Sequence, residues 1–199
     1  MGKPLQIGIT GGIGAGKSLV CRIFQSLGVP IYDADSHAKN LMTIDGILVD
    51  QIKKEFGTLS YDEKGGLSRK YLSATVFNDE TKLSKLNSLV HPRVALDYDR
   101  WLAEHEASPY VIKEAALLFE SGSSALLDKI VVVTAPEKMR VQRVLKRDPQ
   151  RTEQDVMNII RNQMTEEEKL KRADAVIQNN ETELVVPQVL KLHQQWVRQ

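Results

Sequence analysis

The chain predicts an α/β fold: a parallel sheet flanked by helices, with an inserted helical lobe and an Arg-rich helical lid. Three features lead there. Short apolar runs rich in β-branched residues alternate with stretches whose apolar residues recur three or four apart, the order that builds βαβ units under a sheet covered on both faces. The second and third runs are separated by a long, mostly helical interval, about residues 36–105. Residues 139–172 then carry Arg140, Arg143, Lys146, Arg147, Arg151, Arg161, Lys169, Lys171 and Arg172 among acids.

Taken in order, Leu5–Thr10 reads as a buried strand that runs straight into glycines. Leu19, Val20, Ile23, Phe24 and Leu27 follow at helical spacing, and Gly28 stops that helix. Pro30–Asp33 is a short strand ending in carboxylates. In the helical interval, Ile47–Phe56, Lys70–Phe77, Thr81–Val90 and Arg93–His105 each show the pattern, with a turn at Tyr61–Gly66 and a break at His91-Pro92, where proline can open a new helix. Tyr110–Ile112 and Ile130–Thr134 are two further strands, residues 139–172 a pair of solvated helices laced with ion pairs, Ala175–Gln178 a fifth strand and Glu183–Val197 a closing helix. The expected organisation is a single domain, 1–199. Its nucleotide-binding core is 1–35, 107–138 and 173–199, its acceptor lobe 36–106 and its lid 139–172. Such a lobe falls at the carboxyl edge of the sheet, where open α/β folds bind ligands.

The bulk numbers narrow the class. A hydrophobic fraction of 42% supports a sizeable core, and a net charge of +1 gives no field that argues for nucleic acid or a membrane surface as partner. The lone Cys21 excludes an internal disulfide framework and reads as a small core residue. There is no leader and no window near the ~18–20 apolar residues of a membrane span, so a cytoplasmic protein, monomeric by default, is expected.

Gly11-Gly12-Ile13-Gly14-Ala15-Gly16-Lys17-Ser18 matches G-x-x-x-x-G-K-[ST] in full, with a strand before it and a helix after it. Glycines let backbone N–H groups crowd around phosphate oxygens, and the helix that follows points its unpaired donors at the same anion. Gly12, Ile13, Gly14, Ala15, Gly16, Lys17, Ser18 and Leu19 are thus expected to hold a nucleoside triphosphate, with Lys17 on its β- and γ-phosphates and the Ser18 hydroxyl on Mg²⁺. The Asp-x-x-Gly and Asn-Lys-x-Asp signatures of GTPases are missing, as is an apolar strand ending in the Asp-Glu of large ATPases, which points to a small kinase.

Phosphoryl transfer requires a carboxylate near the acceptor hydroxyl and cations over the phosphates. Asp33 and Asp35 end the second strand, which as a neighbour of the first would bring them to the phosphate loop. The residues alone leave open which acid takes the acceptor proton, which holds Mg²⁺ through water, and whether Asp35 merely caps the next helix. Arg143 and Arg147, four apart on a helix, are the candidate cationic pair.

With these residues in place, the chain resembles the dephospho-coenzyme A kinase family over nearly its whole length. Thr10–Ser18 is similar to the family's extended phosphate loop, Gly28–Asp35 to its second strand and acidic pair, Val90-His91-Pro92 to its His-Pro, and Leu117-Leu118-Phe119-Glu120 to its third-strand motif. Arg143 and Arg147-Asp148 resemble its lid, Arg161-x-Gln163 the second lid helix, and Val176-Ile177-x-Asn179-Asn180 the strand near the adenine. The resemblance implies ATP-dependent, Mg²⁺-assisted phosphorylation of the ribose 3′-hydroxyl of dephospho-coenzyme A. It implies Lys17, Asp35 (the base) and Arg143 as catalytic residues, Arg147 and Asn179 on ATP, Asp33, His91, Glu120 and Arg161 toward the acceptor, and Ser18 and Asp33 toward the metal. Three positions depart from the pattern: Ala115-Ala116 where a proline usually precedes Leu-Leu-Phe-Glu, Leu19 where a second hydroxyl is common, and Glu181 where glycine follows the asparagines. Tyr71, Phe77 and Trp101 are set at helical spacing that suits core packing more than a pantetheine groove.

Overall fold

The computed structural model describes residues 3–76 and 79–198. Among them, strands β1 (Leu5–Thr10), β2 (Ile31–Asp33), β3 (Tyr110–Glu114), β4 (Lys129–Thr134) and β5 (Ala175–Gln178) form one parallel sheet ordered β2-β3-β1-β4-β5. The expectation that the first two strands are neighbours fails, because β3 lies between them, with Glu114 in register with both Ile9 and Asp33. Burial decides this. Tyr110, Val111, Ile112 and Lys113 are all buried, so β3 needs neighbours on both sides, whereas β2 is three residues long and suits an edge.

Helices α1 (Lys17–Ser26) and α9 (Val185–Val197) cover the sheet. Ile7, Ile9, Val131 and Val133 alternate along their strands and share a core with Val20, Cys21 and Phe24 of α1 and Val189 and Trp196 of α9. Phe24 stacks on Trp196 at 5.8 Å and meets Tyr110 edge-on at 6.4 Å. No helix among the described residues is long and apolar enough to cross a membrane.

The chain divides into two compact units, Met1–Asp33 with His105–Gln199, and Ala34–Glu104. The second holds α2 (Ala34–Ile44), α3 (Gly46–Phe56), α4 (Arg69–Val76) and α5 (Glu80–Glu104), packed around Leu41, Leu48, Ile52, Phe56, Tyr61, Leu72, Val76 and Val90. Asp45 caps α3 by accepting from the Leu48 N–H at 3.1 Å, and Arg93 Nε donates to it at 2.7 Å. Burial would raise the Asp45 carboxyl, but these donors outweigh it and hold it below the usual carboxylate range. The expected break at His91-Pro92 does not occur; α5 runs through Pro92. Leu86, Leu89, Val90 and Val94 continue one apolar stripe across the proline, so packing offsets the missing backbone donor. Tyr71 donates to the Phe56 carbonyl at 3.0 Å and Trp101 stacks on Tyr98 at 5.9 Å, while Phe77 lies outside the described residues.

Residues 139–172 form three helices rather than two: the end of α6 (Glu137–Arg147), then α7 (Glu153–Arg161) and α8 (Glu166–Lys171). Two capping boxes make the division, Thr152 with Asp155 and Thr165 with Glu168. Val141, Val144 and Val156 form a small core on which Ile13 packs.

Candidate active site

The glycine-rich loop leaves the carboxyl end of the central strand β1 and enters α1, as its sequence predicts. Its shape is set as much by protein neighbours as by any ligand. A Cβ on Gly12 would overlap the Arg140 guanidinium, and one on Gly14, at φ 79°, the Arg140 main chain. Not every loop amide faces outward. The Ile13 N–H donates to Gln163 Oε1 at 3.0 Å, Ala15 N–H to the Gly12 carbonyl at 3.1 Å and Leu19 N–H to the Gly16 carbonyl at 3.0 Å. The amides of Gly14, Gly16 and Ser18 make no bond within the described residues. Lys17 Nζ donates to the Gly11 carbonyl at 3.1 Å, folding its charge back over the loop.

Beside the loop, Asp33 ends β2 and Glu114 ends β3, paired in register at the carboxyl edge of the sheet. Glu114 was not among the sequence candidates, although a carboxylate ending a buried strand is a readable signal. Beneath it, the Cys21 thiol donates to the Glu114 carboxylate; burial first, and that carboxylate second, push the thiol well above its ordinary range. Cys21 is therefore a protonated core group, in keeping with its sequence reading.

The basic residues do not act as one pair. Arg143 donates from NH1 to the Asn179 carbonyl at 3.0 Å and from NH2 to Glu181 Oε1 at 3.1 Å. Arg147 instead grips its neighbour Asp148 with two bonds, at 2.9 and 2.8 Å, and this fork raises the arginine and lowers the carboxylate. Asn179 is anchored too, its amide donating to the Ala15 carbonyl at 2.8 Å and its N–H to the Thr134 carbonyl at 2.8 Å. Glu181, where the family pattern has glycine, sits at φ 67°.

Glu120 accepts the Met164 N–H at 2.9 Å and pairs with the buried Lys169 at 3.3 Å. Arg161 is exposed at the end of α7. Asp35, exposed in the first turn of α2, and His91, exposed on α5, belong to the helical unit. Sequence reasoning also passed over Arg140, which is buried and paired through NH2 with Glu166 at 3.2 Å; Glu166 in turn accepts from the Thr134 hydroxyl. One isolated Arg among many basic residues carries no local signal of burial.

The sequence profile of dephospho-CoA kinase matches residues 5–184. A dephospho-CoA kinase of Bacteroides fragilis is 40% identical over 191 residues, covering 94% of this chain and 91% of the relative. A crystal structure of a Thermus thermophilus protein superposes with a TM-score of 0.87 at 34% identity, over 98% of each chain. A dephospho-CoA kinase structure from Campylobacter jejuni shares the fold, with a TM-score of 0.72 at 24% identity over 97% of each chain. With a matching profile across nearly its whole length and relatives at this identity, the chain belongs to the dephospho-CoA kinase family.

Proposed function

We propose that the chain transfers the γ-phosphoryl group of ATP to the ribose 3′-hydroxyl of dephospho-coenzyme A, giving coenzyme A and ADP, the last step of coenzyme A biosynthesis. The observation that carries this is the complete phosphate loop between β1 and α1 in a chain of this family. The sheet unit takes the nucleotide, the helical lobe 36–106 the acceptor, and residues 139–172 act as the lid. The reaction runs in the cytoplasm on a monomer.

Gly12, Gly14, Ala15, Gly16, Lys17, Ser18 and Leu19 wrap the phosphates, the outward amides of Gly14, Gly16 and Ser18 serving as donors; Ile13 contributes by packing, since its N–H is taken. Lys17 swings from the Gly11 carbonyl to the β- and γ-phosphates. Asp35 removes the proton of the acceptor hydroxyl, and Arg143 neutralises charge on the transferring group. Arg147 and Asn179 support the nucleotide, while Asp33, His91, Glu120 and Arg161 orient the acceptor.

No group of three or more His, Cys, Asp or Glu able to hold a metal occurs among the described residues, which suits a cation held mostly by phosphates. The Ser18 hydroxyl and the Asp33 carboxylate, with Glu114 beside it, are the hard oxygen donors that would hold Mg²⁺. When bound, that ion spreads the negative charge of the triphosphate. Measuring ADP formation decides the assignment. Turnover of ATP should require dephospho-coenzyme A, and a rate that ignores this acceptor would remove it.

A further inference from the structure

We propose that Gln163 and Arg140 are positioning residues for the phosphate loop, setting its shape from the root of the lid so that nucleotide affinity depends on the junction between α7 and α8. The proposal rests on the loop binding a nucleotide, and on no particular acceptor.

Two contacts with separate origins meet at the loop. Gln163 lies 150 residues from Ile13 in the chain, yet its Oε1 accepts the Ile13 N–H at 3.0 Å. A loop that turns some amides outward to phosphate must satisfy the others behind, and here a side chain does so. Arg140 supplies the second contact. Its main chain occupies the space under Gly14 and its guanidinium the space beside Gly12, so neither position has room for a Cβ. The Arg140 side chain is only 7% exposed and is tied to Glu166 at 3.2 Å, whose carboxylate also takes the Thr134 hydroxyl at the end of β4. Arg140 Nε, also buried, has no hydrogen-bond partner among the described residues.

The junction that carries Gln163 is itself held. Glu120 binds the Met164 N–H, the residue next to Gln163, and pairs with Lys169, whose side chain is only 2% exposed. Thr165 and Glu168 close their capping box on the next turn. Two buried cations, each with its own acid, therefore tie α6 to α8 and α8 to Glu120, and Gln163 hands that fixed position on to the loop. Ile13 packs against the small core of Val141, Val144 and Val156. The loop is held over Gly12, Ile13 and Gly14, while the amides of Gly14, Gly16 and Ser18 make no bond within the described residues.

The test is calorimetric titration with ADP, without acceptor, alongside amide-proton exchange at Ile13, on the whole protein. Gln163→Leu should weaken ADP about tenfold, the scale of one buried donor left unpaired, and should expose the Ile13 amide to exchange. Gln163→Glu keeps an Oε acceptor and should restore both readings, while the KM for the acceptor stays unchanged in either variant. Unaltered ADP affinity in Gln163→Leu despite a deprotected Ile13 amide would overturn the proposal, as would a Gln163→Glu protein as weak as Gln163→Leu. Where Gln163→Leu fails to fold, Arg140→Lys takes its place. It keeps a charge for Glu166 but withdraws the guanidinium from Gly12, and ADP binding equal to the parent overturns the part given to Arg140. A protein that ignores dephospho-coenzyme A yet shows these ADP effects would remove the kinase assignment and leave this inference standing.

Discussion

Glu181 stands in left-handed backbone, at φ 67°, where a side chain costs about 1 kcal/mol or more relative to glycine. Its carboxylate is 71% exposed, so its pair with Arg143 returns little of that. Glu181→Gly is therefore expected to raise stability by about 0.5–1 kcal/mol in urea unfolding, strain relief outweighing a screened ion pair. A lower midpoint would show that the pair outweighs the strain. Asp35→Asn is expected to lower kcat by ~10²-fold or more with ADP affinity little changed, because only the acceptor's proton loses its destination. A kcat that holds would reassign the base to Asp33. At this scale the loop residues were legible in the sequence, because G-x-x-x-x-G-K-[ST] is a local pattern. Arg140 and Gln163 stood in the basic series and in the Arg161-x-Gln163 motif, but the burial of the one and the bond of the other to Ile13 were not legible, because burial and long-range pairing have no local signature.

Among the elements, α7 and α8 depend on their caps. Thr152→Ala removes the acceptor for the Asp155 N–H and is expected to cost about 1 kcal/mol, read from the urea midpoint. The Asp155 carboxyl is lowered by the Thr152 N–H and hydroxyl, and the Glu168 carboxyl by the Thr165 hydroxyl and N–H. Folded values depressed in this way add stability that is present above the unfolded carboxylate values and is lost as pH falls below them through the lowered folded values, so the caps of α7 and α8 should weaken in acid. In the helical unit the sign reverses. Burial pushes the Tyr61 hydroxyl up to about 12, and it donates to the Met42 carbonyl at 2.7 Å. Its contribution is complete below pH 10, the ordinary value, and is lost as pH rises toward 12. Tyr61→Phe should flatten the alkaline fall in stability between those limits; an unchanged slope would assign the fall elsewhere. The Thr-x-x-Asp and Thr-x-x-Glu boxes that split residues 139–172 into separate helices were present in the sequence, yet the charge pattern masked them. Pro92 was read as a break because local backbone chemistry disfavours it, whereas the apolar stripe on either side prevails once packed.

For the molecule as a whole, ligand binding should act unevenly on the two units. ADP at 100 times its dissociation constant stabilises whatever binds it by about 2.7 kcal/mol. Hydrogen exchange should show that protection in β1, α1 and β4 and leave α3 and α4 unchanged. Equal protection of both would mean that the helical unit also takes part in nucleotide binding. By itself the sequence determined the α/β class, all five strands, the phosphate loop and, through its motifs, the family, since each is written in periodicities and short patterns that a contiguous stretch carries. Only the tertiary structure decided that β3 stands between β1 and β2, that Glu114 joins Asp33 at the edge, and that the Ile13 amide is bound by a residue 150 positions away. Those outcomes depend on which buried surfaces and unpaired backbone groups find partners once the chain has folded. A local pattern states the need for a partner without naming it.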